Sequence, residues 1–360
     1  MARKLKFTPK TNQQPGLFDL TGDLFETPSA VAPTTPAAPL SEEAVPATDF
    51  DITIPADFAR RHRPEKESVE VDPSTLNLKP SIVFLSFGSG SSGNSAYIGD
   101  ADGGILIDAG VDTDKIRDGL RANGLNFDTI KGICLTHDHS DHVRYVYSLV
   151  RKHPHIGVYC TPKTLSGIMR RHSISRRLKD YHRPIYKEFP FTIGNFRITA
   201  FEVSHDGTDN SGFFVSHGDQ NFAIATDLGC ITPRVEFYMS QADHIMIESN
   251  YDAEMMRNGS YPMHLKARIT ADNGHLDNRV TAEFLNRIAG PRLTHIFLCH
   301  LSQDNNTPQL AVETVRHALE KAGLGPVGDG SGSIAARACA LQLSALPRYE
   351  ASQLFTLRRR

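Results

Sequence analysis

The 360-residue chain has little that would tie it to a membrane or to an oxidising compartment. No apolar run approaches the ~20 residues that a membrane-spanning helix needs. Its five cysteines (Cys134, Cys160, Cys230, Cys299, Cys339) are odd in number and form no CxxC pair. They read as reduced, small core residues rather than a disulfide framework. The basic start MARKLKFTPK turns acidic and proline-rich at once, with no secretory h-region or cleavage-site pattern. That predicts a cytoplasmic protein. A net charge of −2 gives no whole-molecule attraction to a polyanion. No internal repeat is visible.

A nucleotide-binding loop is also missing, although its letters are present. Gly88-x-Gly90-x-x-Gly93 follows the strand-like run SIVFL, but Asn94-Ser-Ala-Tyr-Ile98 continues as another strand. A dinucleotide fingerprint needs a helix there, whose N-terminus would hold the pyrophosphate. No Lys-Ser or Lys-Thr follows the last glycine, so the P-loop fails as well. What remains is a donor-rich glycine loop between two strands.

Eleven of the 21 prolines lie in the first 80 residues, and the run around Ser29 to Ala47 carries few large apolar side chains. Residues 1–78 are expected to be mostly disordered, with the folded domain over residues 79–360. Gln14-Pro-Gly-Leu17-Phe18 resembles the Gln-x-x-Leu-Phe peptides that dock on the bacterial sliding clamp; chance apolar residues in a tail are the alternative. Ile54 to Pro64 can form a helical turn or two. From Ile82 onward, strands pair locally at first and later alternate with helices. A helix ends at Gly124, another runs through HVRYVYSLVRKH, and a third begins at Pro162. Later come two helices between Tyr261 and Leu285, one over Pro308–Ala322, and a last strand near Leu341. This is a layered α/β domain.

The strongest local signal is His137-Asp-His139-Ser-Asp141-His142, after the strand-like TIKGICLT. Side chains two apart in an extended turn point the same way, so His137 and His139 can chelate one cation. Asp141 and His142 can face a second. Three further candidates each follow an apolar run: His205 after ITAFEVS, Asp227 after FAIAT and His300 after HIFLC. His217, before an apparent hairpin, reads as surface.

HDHSDH followed by separated His205, Asp227 and His300 resembles the metallo-β-lactamase-fold hydrolase superfamily, over about residues 82–345. The resemblance implies a four-layer αββα sandwich. It makes His137, His139 and His205 ligands of one divalent ion, and Asp141, His142 and His300 ligands of a second, with Asp227 bridging. Asp108, in ILIDAG, becomes the acidic residue that orients the ligands. SFGSGSSGNS, ESNYD, GHLDN and HLSQDNN resemble the YycJ/WalJ group, which is associated with DNA exonuclease activity. Asp277 stands where that group usually has serine.

The expected function is therefore a dinuclear phosphodiesterase using Zn2+ or Mn2+, most simply a 5′-to-3′ DNA exonuclease. Asp141 would act on the attacking water and His275 on the leaving oxygen. Ser91, Ser92, Asn94 and Ser95 of the glycine loop, with Asn305 and Asn306, can donate to phosphate. Between Lys163 and Lys187 eight Lys/Arg face one acid; Arg170, Arg171, Arg176 and Arg177 can track a nucleic-acid backbone. A small-phosphodiester or thioester hydrolase of the same fold, and a clamp-docking adaptor with a structural metal site, are the alternatives.

Overall fold

The structure, a computed structural model, describes residues 81–333 and 339–358. The expectations for residues 1–78, including the Gln14–Phe18 peptide and the turn at Ile54–Pro64, lie outside the described residues.

The chain begins with β1 (Ile82–Gly88), β2 (Ser95–Asp100), β3 (Gly103–Ile107), α1 (Thr113–Ala122) and β4 (Ile130–Cys134). Next come α2 (Ser140–Val143), α3 (Val146–Lys152), β5 (Gly157–Cys160), α4 (Pro162–Arg171) and β6 (His182–Pro184). β7 (Phe191–Ile193), β8 (Phe196–Glu202), β9 (Ser211–His217), β10 (Gln220–Ala225), α5 (Pro233–Met239) and β11 (His244–Glu248) follow. The remainder is α6 (Ala253–Asn258), α7 (Met263–Ile269), α8 (Asn278–Ile288), β12 (His295–Cys299), α9 (Pro308–Lys321), β13 (Val327–Gly328), β14 (Leu341–Ala345) and β15 (Phe355–Leu357).

Two sheets result, ordered β15-β1-β2-β3-β4-β5-β6 and β13-β14-β12-β11-β10-β9-β8-β7. Their strands are apolar on both faces because each sheet is covered twice. In β1, Phe84 joins the cluster between the sheets while Leu85 packs under the helices. In β12, Phe297 and Cys299 point between the sheets, and Ile296 and Leu298 towards helices. Phe84 and Phe297 meet at a centroid distance of 4.5 Å, and Phe84 and Phe222 at 5.2 Å. Ile116 and Leu120 of α1 cover the first sheet; Ala311, Val315 and Leu319 of α9 cover the second, at helical spacing. The layers are thus α, β, β, α, as expected.

Helix starts follow one local rule. Thr161-Pro162, Thr232-Pro233 and Thr307-Pro308 open α4, α5 and α9: the threonine oxygen accepts a backbone N–H of the first turn and proline stands where no amide bond is lost. The expected single helix over His142–His153 is instead two. The amide of Tyr145 donates to the carbonyl of Ala109 at 2.9 Å, and the chain breaks there. His217 is buried, not on the surface: it pairs with Asp100 of the other sheet at 2.9 Å and stacks on Phe196 at 4.9 Å. An expectation from the hairpin alone has no view of the strand lying across it.

Within each sheet the strands that carry the candidates run parallel. Ile107 pairs with Cys134 across β3 and β4, Ala225 with Ile247 across β10 and β11, and Glu248 with Cys299 across β11 and β12. Their C-terminal ends therefore release loops on one edge, where α/β sheets place ligand sites.

Candidate metal centre

Two groups of side chains meet at that edge, His137–His139–His205–Asp227 and Asp141–His142–Asp227–His300, each with ligand atoms within 4.8 Å of one another. Asp227 belongs to both. The motif behaves as its alternation demands: His137 and His139 point in, and Asp138 points away. Asp138 accepts from the amide of Thr208 at 2.8 Å and lies 3.4 Å from Arg171 Nε. Four non-glycine residues have positive φ among the described residues, and three of them are Asp108 (61°), Asp227 (52°) and His300 (53°). Left-handed backbone at such residues costs ~1–3 kcal/mol each, which the surrounding sheets must hold in place.

Three of the histidines have the nitrogen remote from the centre fixed by an acceptor. His142 Nδ1 lies 2.7 Å from Asp108 Oδ2, His205 Nδ1 lies 3.0 Å from the Gly274 carbonyl, and His300 Nδ1 lies 2.9 Å from Glu248 Oε1. Each such bond selects the tautomer that leaves Nε2 as a lone pair for a cation. Asp108 is itself held by the amide and hydroxyl of Thr136, both at 2.8 Å.

The charge balance differs between the groups. Burial, and then the neighbouring His142, push His137 well below the ordinary imidazole value; burial and His205 push His139 down to about 4. In the second group burial again opposes charge but loses. Asp227, Asp108 and Asp141 lift His142 well above its ordinary value, while Asp227 first, then the nearby Asp141 and Glu248 carboxylates, lift His300 to about 10. Against their own burial, Asp227 is drawn well down by His300 and His142, and Asp141 is drawn down mainly by His142. Protons on His142 and His300 thus balance the buried carboxylates in the positions where a cation would do so.

The donor set fits divalent cations. His137 Nε2 and His300 Nε2 are buried with no hydrogen-bond partner, an arrangement that costs free energy unless something else occupies them. Imidazoles and carboxylates together suit zinc and manganese.

An αββα sandwich with a carboxylate-bridged double ligand group at its strand ends is the architecture of a metal-dependent hydrolase. The chain belongs to the beta-lactamase superfamily, whose domain family matches residues 104–296. It is 32% identical over 250 residues to "Exodeoxyribonuclease YycJ" of Bacillus anthracis, covering 68% of this chain and 91% of that one. It is 35% identical over 253 residues to "Exodeoxyribonuclease WalJ" of Streptococcus pneumoniae, covering 70% and 92%. Zn2+-bound PqqB from Methylobacterium extorquens shares the fold, with a TM-score of 0.53 at 16% identity over 75% of this chain and 99% of that one.

The other expected residues have various placements. His275 reaches the centre, with Nδ1 2.7 Å from Glu248 Oε1; against burial, the Glu248 charge raises its pKa. Ser91 and Ser92 are exposed at the loop tip. Asn94 and Ser95 are buried and engaged by the protein. Asn94 Nδ2 lies 3.1 Å from Asp141 Oδ2 and 2.9 Å from His142 Nε2, and Ser95 donates to the Asp108 carbonyl at 2.9 Å. Asn305 and Asn306 are buried too, and Asn306 donates to the carbonyls of Ser249 and Asn250 at 2.9 and 3.0 Å. Arg170, Arg171, Arg176 and Arg177 are exposed. Asp277 caps α8 by accepting the Arg279 amide at 2.7 Å, so its carboxylate serves the helix start.

Two residues at the centre were not anticipated. Glu248 ends the apolar strand HIMIE and is fully buried, yet it orients both His275 and His300. Its signal was an acid closing a buried run. Asp206, beside His205, places Oδ1 3.2 Å from His139 Nε2 and 3.4 Å from His205 Nε2, while Arg268 grips Oδ2 at 2.7 Å.

Proposed function

We propose that the protein is a dinuclear metal-dependent exodeoxyribonuclease that hydrolyses DNA from a 5′ end in the cytoplasm. The observation that carries the reading is the pair of ligand groups sharing Asp227, with the Glu248–His275 pair beside them. The names of the two relatives supply the nucleic-acid half of the argument. In this reading His137, His139 and His205 hold one cation, Asp141, His142 and His300 the other, and Asp227 both. Two divalent ions, Zn2+ or Mn2+, would supply positive charge that polarises the phosphate and acidifies a water.

The chain's own groups do the rest. Asp141 has Oδ2 engaged by Asn94, and its side chain is 18% exposed, which leaves Oδ1 to orient the attacking water. With Nδ1 committed to Glu248, His275 presents Nε2 to protonate the departing oxygen. Ser91 and Ser92 hold flanking phosphate, and the exposed Arg170, Arg171, Arg176 and Arg177 follow the backbone by charge. Gln14–Phe18 is the segment assigned to clamp docking; removing residues 1–78 should leave turnover on naked DNA intact.

The test uses protein stripped of metal and reloaded with Mn2+ or Zn2+, given end-labelled linear and closed circular duplex DNA. Stepwise loss from 5′ ends, absent in Asp141→Ala and His142→Ala, is the expected result. Loss from 3′ ends would reverse the polarity. Cleavage of bis-p-nitrophenyl phosphate with neither DNA touched would leave a small-substrate hydrolase.

A further inference from the structure

The glycine loop also borders a space that none of the candidate metal ligands lines. There a cavity of about 330 Å³ is lined by Phe87, Ser92, Lys115, Tyr145, Arg348 and Tyr349. The loop separates cavity and centre by very little chain: Ser92 faces the cavity, while Asn94 touches Asp141 and His142 and its amide donates to the Asp141 carbonyl at 2.8 Å. A Cβ on Gly110 would fall on that same carbonyl, so glycine is what lets the layers close up.

The cavity carries a built polar wall. Arg348 crosses the loop over Gly90, where a Cβ would meet its guanidinium. It donates to the Leu301 carbonyl and to Ser91 Oγ, both at 2.6 Å, and its Nε is buried with no hydrogen-bond partner. Lys115, exposed on α1, makes one long bond of 3.4 Å to the Tyr349 carbonyl. Tyr349 is 49% exposed, yet its ring is held in place: the hydroxyl donates to Gln303 at 2.6 Å and Arg348 lies 5.5 Å from the ring centroid. The acid on this wall, Asp112, has its carboxylate engaged by the Asp114 amide at 2.8 Å. Two cations beside a fixed, half-exposed aromatic ring form the combination that binds a single-stranded nucleic-acid unit, charge on phosphate and ring on base.

We propose that this cavity is a nucleotide subsite, in which Tyr349 stacks a base of the substrate strand while Lys115 and Arg348 hold its phosphate, beside the scissile bond rather than at it. The inference rests on the proposed nuclease reading and adds where the strand lies. The strand then crosses the Ser91–Ser92 tip between subsite and centre, with the arginines of α4 and the following turn on the opposite flank.

Binding of a fluorescein-labelled single-stranded oligonucleotide to the metal-stripped full chain tests this without turnover. Tyr349→Ala should weaken binding by about tenfold, as expected for one lost base stack, and Tyr349→Phe should restore most of it. Lys115→Ala should lower the slope of log affinity against log salt by about one unit. Circular dichroism melting of each variant separates loss of contact from loss of fold. If the wild-type protein degrades DNA and Tyr349→Ala binds as tightly as wild type, the subsite is wrong and the nuclease reading survives. If the wild-type protein neither binds nor cleaves DNA but hydrolyses bis-p-nitrophenyl phosphate, the nuclease reading falls and the subsite falls with it.

Discussion

The two candidate groups share Asp227 but differ in charge, because one adds three histidines to it and the other two histidines and Asp141. In the first group, burial and the neighbouring imidazoles push His137 and His139 down, and His139 opens to solvent beside Asp206 and Arg268. The Asp141–His142–His300 group has Asp108 and Glu248 behind it, and its imidazoles carry protons for as long as no cation is there. One group is ready for a cation, whereas the other must exchange protons for it. The difference follows the carboxylates: the second group adds Asp141 to the shared Asp227 and has Asp108 and Glu248 against its histidines.

Asp227→Asn would do most to abolish the contrast, because it removes the shared carboxylate. Metal content measured by elemental analysis should fall at both groups, and turnover should drop by more than the roughly 10–100-fold seen when an outer partner is lost. Retention of two cations would break the account of Asp227 as the bridge. Next, Asp108→Asn should weaken one cation by about 10–100-fold through His142 while leaving the other in place. Calorimetric titration should then show two separated affinities.

The pH dependence sharpens the same comparison. His139, down to about 4, and His137, pushed well below the ordinary imidazole value, are neutral throughout the neutral range and should add no pH dependence to affinity at the first group. His300, up to about 10, must lose a proton before it ligates, so affinity at the second group should rise as pH increases towards that value. The slope should be about tenfold per pH unit for each proton displaced. Calorimetry in buffers of different ionisation enthalpy counts those protons, and a count of zero would contradict the charge assignment. The smallest effect expected is that of Arg268→Ala, which unclamps Asp206 at an exposed ion pair worth less than about 1 kcal/mol. It should alter first-group affinity by no more than about fivefold.

What the sequence determined by itself was whatever is local. HDHSDH places four donors within six residues, and strand alternation alone turns His137 and His139 inward with Asp138 outward. Apolar runs ending in His205, Asp227 and His300 marked the strand ends, because a polar residue closing a buried strand stands where the sheet stops. Proline at the first helical position marked the starts at Pro162 and Pro308 for equally local reasons, whereas the helix that opens the same way at Thr232-Pro233 was not anticipated.

The tertiary structure decided what depends on distant partners. Glu248 hid inside a buried strand and became visible only when β12 brought His300 alongside. Asn94 and Ser95 lie in the expected loop, but the layers closing around Gly110 turned Asn94 onto Asp141 and His142 and Ser95 onto the Asp108 carbonyl. Arg348 and Tyr349 reach the glycine loop from more than two hundred residues downstream, as the Arg348–Ser91 bond records with a separation of 257. Contacts between residues so far apart in the chain leave no period or spacing to read. They arise when two apolar-faced sheets bury each other and carry their loops to one edge.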